Sequence, residues 1–118
     1  MMKAALLLWS RWISTSQAAK AKVFDTLQAG SGALVVASVF DAGSARIFAG
    51  LGFETVATSS GGFAATLGRK YGLITREEAP SHAHAVFAAT YPPSSADLAH
   101  GFDDAPEAVA KTALGTAR

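Results

Sequence analysis

Apolar residues along this chain follow two different periods, and the two alternate. Ala19, Val23, Phe24 and Leu27 recur at near-helical spacing. This predicts an amphipathic helix from Gln17 to Ala29, with Ser16 as N-cap and Gly30 at its stop. Ala33 to Val39 is instead a continuous run rich in β-branched residues, the pattern of a strand buried on both faces. Asp41 suits the cap of a helix over Ala42 to Leu51 that closes at Gly52. Glu54 to Thr58 reads as a second strand, and Ser59 to Gly72 as a glycine-rich loop with one helical turn at Phe63 to Leu67. Thr75 and Glu78 have capping-box spacing and open a helix to about Ala89, in which Pro80 is acceptable only in the first turn. Pro92 to Ala96 is a third strand with its prolines confined to the entry. A last helix covers Ala105 to Ala117, with Asp104 as cap and Pro106 early.

One helix followed by three strand–helix units implies parallel strands joined by helical crossovers, an α/β fold. The 118 residues allow one domain. Half of them are apolar, which argues against disorder, but the weight falls on alanine, so the core is modest in area. A formal charge of +1 without a basic cluster provides no footprint for nucleic acid or a membrane surface. The absence of cysteine excludes disulfides and thiolate metal sites and fits a cytoplasmic protein. Residues 1–15 stand apart: a short apolar run, Arg11, and no acid before Asp25. They read as an N-terminal extension ahead of a domain occupying 16–118. A secretory signal and an organellar presequence are the alternatives.

The candidate chemistry lies between Ser95 and Glu107, where a short strand ends in the carboxylate of Asp97 before a glycine-bearing loop and a helix. Strand C-termini are where α/β barrels and open α/β sheets place their active sites. Three motifs stand in register around it: Val39 to Arg46 (VFDAGSAR), Ala57 to Arg69 (ATSSGGFAATLGR), and Ser95-Ala-Asp97 with Gly101-Phe102 and Asp104 to Ala110. In order and spacing they resemble the N-terminal part of the isocitrate lyase/phosphoenolpyruvate mutase family. The similarity is to the branch of 2-methylisocitrate lyase and carboxyphosphonoenolpyruvate phosphonomutase, and it covers about Ser16 to Ala113.

The resemblance implies a partial (β/α)8 TIM barrel: an N-terminal helix plus about three βα units of parallel sheet, less than half of a full family domain. It implies a Mg²⁺-dependent lyase or phosphonomutase acting on small 2-oxo or 2-hydroxy carboxylates through an enolate-like intermediate. By the same resemblance Thr58, Ser59, Ser60 and Gly61 hold the substrate carboxylate. Small residues there let backbone N–H groups approach an anion, and the hydroxyls add donors. Asp97 matches the first acid of the family's metal motif, but Ala99 replaces the second, so Mg²⁺ is expected to be poorly held. Tyr71, Ala37-Ser38 and Asp103 also depart from the family pattern. No catalytic residue is assigned, because the family's acid/base loop has no counterpart in this sequence. His82 and His84, two apart on a helix, face away from each other and are expected to be solvent-exposed.

The expectation is therefore an enzyme lineage represented by a truncated, degenerate copy with little or no activity. The alternative is a non-catalytic fragment acting by association. Family members are homo-oligomers, and three strands leave two unpaired edges, so self-association or aggregation is expected. A flavodoxin-like binding module has the right alternation but lacks the strands and the phosphate fingerprint.

Overall fold

The computed structural model describes residues 16–117; the expected extension, 1–15, lies outside them. Its elements are α1 (Gln17–Gln28), β1 (Val36–Val39), α2 (Ala42–Gly50), β2 (Thr55–Thr58), α3 (Ser60–Thr66), α4 (Glu78–Ala89), β3 (Ser94–Ser95) and α5 (Pro106–Thr116). The strands form one sheet in the order β1-β2-β3. Both pairs are parallel, with Ala37 beside Val56 and Ala57 beside Ser95. This is the helix-connected parallel sheet that the alternating periods predict.

The polar residues expected as caps set several boundaries. Ser16 Oγ accepts the Ala19 N–H at 3.2 Å, taking up one of the orphan donors of α1. Asp41 and Ser44 form a reciprocal box at the start of α2, with the Ser44 N–H 2.7 Å from Asp41 Oδ1 and Ser44 Oγ accepting the Asp41 N–H. Thr75 and Glu78 also bond reciprocally. Pro80 falls in the first turn of α4, where its missing N–H removes no internal bond. At α5 the expectation fails. Ala105 occupies the N-cap without a side-chain bond, and its N–H goes to Asp103 Oδ1 at 3.0 Å.

The core joins one face of the sheet to α2 and α4. Ala37, Val39, Val56, Ala45 and Val86 pack together with Phe48, Phe53 and Phe87 against them. Val39, Val56 and Val86 are completely buried. A second cluster of Ala64, Ile74 and Ala79 meets Phe63, Leu98 and Phe102, so α3, α4 and the loop after β3 share one apolar support. Strand β1 is not buried on both faces. Val35 lies outside it and is 64% exposed, and Ser38 is exposed while its neighbours Ala37 and Val39 are buried. Helices cover one side of the sheet. The row Ser38, Ala57 and Ser95, aligned by register, lies on the less covered side. Strand β3 spans two residues, shorter than the expected Pro92 to Ala96, because Pro92 lacks an N–H and pairing begins only when Pro93 O accepts from Val56.

Candidate functional site

Strand β2 delivers Thr58, Ser59, Ser60 and Gly61 to the same end of the sheet as Asp97. The stretch expected as loop is helical from Ser60, because Ser59 caps it. Ser59 Oγ accepts the Gly62 N–H at 3.0 Å, and Ser59 O accepts from Phe63 at 2.8 Å. The two glycines hid this helix, since glycine opposes helix formation. Packing explains at least one of them: a Cβ on Gly62 would stand 2.9 Å from Phe40 Cβ and 3.2 Å from Ser59 Oγ. Glycine alone lets α3 start this close to the end of β1. Ser59 is an allowed N-cap residue, but with Gly62 in place of a Glu or Gln the sequence lacked the full capping signal.

Asp97, two residues past β3, ties the strand ends together. Its Oδ2 accepts from the Ser60 N–H at 2.9 Å and the Ser60 hydroxyl at 2.7 Å. Its Oδ1 accepts the Ala99 N–H at 2.9 Å, and its own N–H donates to Thr58 Oγ1 at 2.8 Å. Partial burial works against the charge of Asp97, but the donors of Ser60 and Ala99 outweigh it and hold its pKa below the ordinary carboxylate value. Thr58 is buried beneath this network. The Ser59 hydroxyl keeps its own proton to donate, and Gly61 is half-buried with the ring of Tyr71 lying along it. Tyr71 itself is 73% exposed.

The donor set fits a magnesium ion poorly. Mg²⁺ is usually held by one or two carboxylates completed by waters in an octahedron. Asp97 is the one carboxylate here, and three of its lone-pair sites already receive N–H or O–H donors. Position 99 carries a methyl group in a left-handed conformation, φ 50°. His100 turns to the ring of Phe102 at 5.3 Å. No group of three or more His, Asp or Glu side chains suited to a metal occurs among the described residues.

Sequence reading missed two supporting residues. Arg76 Nη2 donates to Phe102 O at 2.8 Å and to Asp103 Oδ2 at 3.0 Å, binding the loop after β3 to the base of α4. His82 is not a solvent-exposed helix residue. Its ring stacks on Phe63 with centroids 3.9 Å apart and planes 9° apart, and its Nε2 lies 2.7 Å from Phe40 O. His84, which is exposed, reaches Gly115 O on α5 at 3.2 Å, so the two imidazoles serve different neighbours. Both contacts span long sequence separations and carry no local signal.

No helix among the described residues is long and apolar enough to cross a membrane. No curated protein matches the chain. Among solved structures, it is similar to a protein of Burkholderia cenocepacia J2315 described as a lyase/mutase, at 40% identity and TM-score 0.83 over 86% of this chain and 36% of that one. A second protein of that organism, described as a phosphonomutase, matches at 33% identity and TM-score 0.77, over 82% of this chain and 40% of the other. A 2,3-dimethylmalate lyase, a member of the PEP mutase/isocitrate lyase superfamily, matches at 25% identity and TM-score 0.72, over 82% and 36%. The chain thus spans little more than a third of the length of these structures. The family model for phosphoenolpyruvate phosphomutase matches residues 24–117, and the chain belongs to that family, within the PEP mutase/isocitrate lyase superfamily of lyases and mutases.

Proposed function

We propose that residues 16–118 form the carboxylate-holding part of a lyase or phosphonomutase barrel whose substrate is a small 2-oxo or 2-hydroxy carboxylate. One observation carries this reading: Thr58 to Gly61 and Asp97 converge at the C-terminal ends of adjacent parallel strands, the usual seat of chemistry in such folds. The relative named for 2,3-dimethylmalate acts on a dicarboxylate, which agrees with a site rich in small donors. Because Ser60 already serves Asp97, an incoming carboxylate draws on the Ser59 hydroxyl and the Gly61 N–H, with Thr58 as support. A single acid leaves Mg²⁺ weakly bound, so turnover by this chain is small or nil.

The test is calorimetric titration with oxaloacetate and with a neutral analogue, each with and without Mg²⁺, beside assays of 2-methylisocitrate cleavage and of oxaloacetate and phosphonopyruvate turnover. Binding of oxaloacetate but not of the neutral analogue supports the reading. Equal or absent binding of both removes it. Mg²⁺-dependent turnover well above that of Asp97→Ala overturns the statement about weak metal binding.

A second reading is association without catalysis. Among the described residues β1 and β3 are each paired on one side only, and unpaired parallel edges invite strand addition. Analytical ultracentrifugation decides it: a monodisperse monomer with a cooperative melt counts against association.

A further inference from the structure

We infer that His82 is a positioning residue for the strand-end crevice, pinning the end of β1 to the first turn of α3; this rests on the carboxylate-holding role proposed above. The imidazole makes two contacts, one to the end of β1 and one to α3. Its Nε2 lies 2.7 Å from Phe40 O. A carbonyl only accepts, so Nε2 is the donor in this contact. Its face stacks on Phe63 at 3.9 Å, nearly parallel. Phe40 is the residue after β1, and Phe63 lies three positions after Ser60. The same joint contains the closest approach in α3, where Gly62 leaves no space for a Cβ against Phe40.

The geometry has a direct consequence for the site. The depth of α3 against β1 sets where the Ser59 hydroxyl and the Gly61 N–H point, because both lie in the turn that Phe63 anchors. Asp97 fixes that turn from the β3 side through Ser60. His82 fixes it from the β1 side. Without the imidazole, the β1 side keeps the Ser59 N–H bond to Val39 O at 3.0 Å and the packing of Ala64 but loses the tie through Phe63, so the donors are held less tightly in their common direction. Preorganised donors bind an anion better than donors that must be ordered on binding.

Two substitutions separate the contacts. His82→Phe keeps an aromatic face for Phe63 and loses the bond to Phe40 O; His82→Gln keeps a donor of similar reach and loses the stack. The readouts are the backbone amide resonances of Ser60 and Gly61, the affinity for oxaloacetate, and the melting temperature. His82→Phe is expected to move both amide resonances and to weaken oxaloacetate about fivefold or more, the worth of one lost hydrogen bond, while still melting cooperatively. His82→Gln is expected to recover affinity to within about twofold of the parent. Unmoved amides with parental affinity in His82→Phe overturn the inference. So does a loss of affinity in both variants that simply follows their melting temperatures. A parent chain that binds no oxaloacetate sinks the proposed function instead, and the amide resonances of the unliganded variants then decide the role of His82 alone.

Discussion

The carboxylate of Asp97 takes both donors of Ser60, the backbone N–H at 2.9 Å and the hydroxyl at 2.7 Å. The carboxylate expected by resemblance to bind metal thus works here as an internal anion at the first turn of α3. Asp97→Ala removes these charge-assisted bonds together with the bond from Ala99. Because Asp97 is largely open to solvent, water replaces part of what is lost, and the expected destabilisation is about 1–2 kcal/mol. Urea unfolding followed by circular dichroism measures it. A change below a few tenths of a kcal/mol would mean that the network contributes nothing to stability.

Acid is expected to weaken the fold, and the direction follows from four carboxylates. For Asp97, burial opposes the charge but the Ser60 and Ala99 donors prevail; Asp41 is held low by the Ser44 N–H, Glu78 by the Thr75 N–H and Asp103 by the Ala105 N–H. Each has a folded pKa below its unfolded one. Their contribution is therefore complete above the unfolded value, about 4, and disappears as pH falls through the lower folded values. Melting temperature should be level from neutrality to about pH 5 and fall below about pH 4. Asp97→Asn should flatten part of that fall; an identical profile in both proteins would contradict it.

Gly101 should not tolerate a side chain. Its φ is +78°, and a Cβ there would lie 2.7 Å from Val109 Cγ1. Gly101→Ala combines left-handed strain with a clash against the first turns of α5, for an expected cost of about 2–4 kcal/mol. Chemical denaturation of this variant beside Gly115→Ala, where nothing lies within 4 Å, separates the clash from a generic glycine effect.

Ala99→Asp should create a magnesium response that the parent lacks. Aspartate accepts the left-handed backbone at this position, φ 50°, better than alanine does. It would also place a second carboxylate two residues from Asp97. Millimolar Mg²⁺ is expected to raise the melting temperature of the variant and leave the parent unchanged at equal ionic strength. Equal responses in the two proteins would show that the absence of a second acid is not what limits binding.

The sequence made legible whatever short-range chemistry controls. Ser16 and Asp41 announce helix starts through bonds to residues three positions away, and those starts are where they were expected; the Thr75–Glu78 pair forms its reciprocal bonds, but the helix begins later, at Glu78. The run around Val36 to Val39 announced a strand but not its surroundings. Whether one or both faces of β1 are covered depends on α2 and α4, which no local pattern specifies. Helix α3 was obscured by Gly61 and Gly62, whose low helix propensity is outweighed by the Ser59 cap and, at Gly62, by the need for close approach to Phe40. Asp97 was legible as a carboxylate at a strand end. Its engagement with Ser60, 37 positions away, was not, and neither was the grip of His82 on Phe40.

Strand β3 pairs along two residues at the edge of the sheet, whereas β2 has a neighbour on each side. Amide exchange should therefore be slowest in β2 and fast in β3. The strand-end cluster bridges that gradient, with Thr58 on the stiffest strand and Asp97 just beyond the loosest. Leu98, next to Asp97, packs on the same cluster as Phe63 of α3, so Asp97 and Ser60 are held together by that shared apolar support more than by the short pairing of β3.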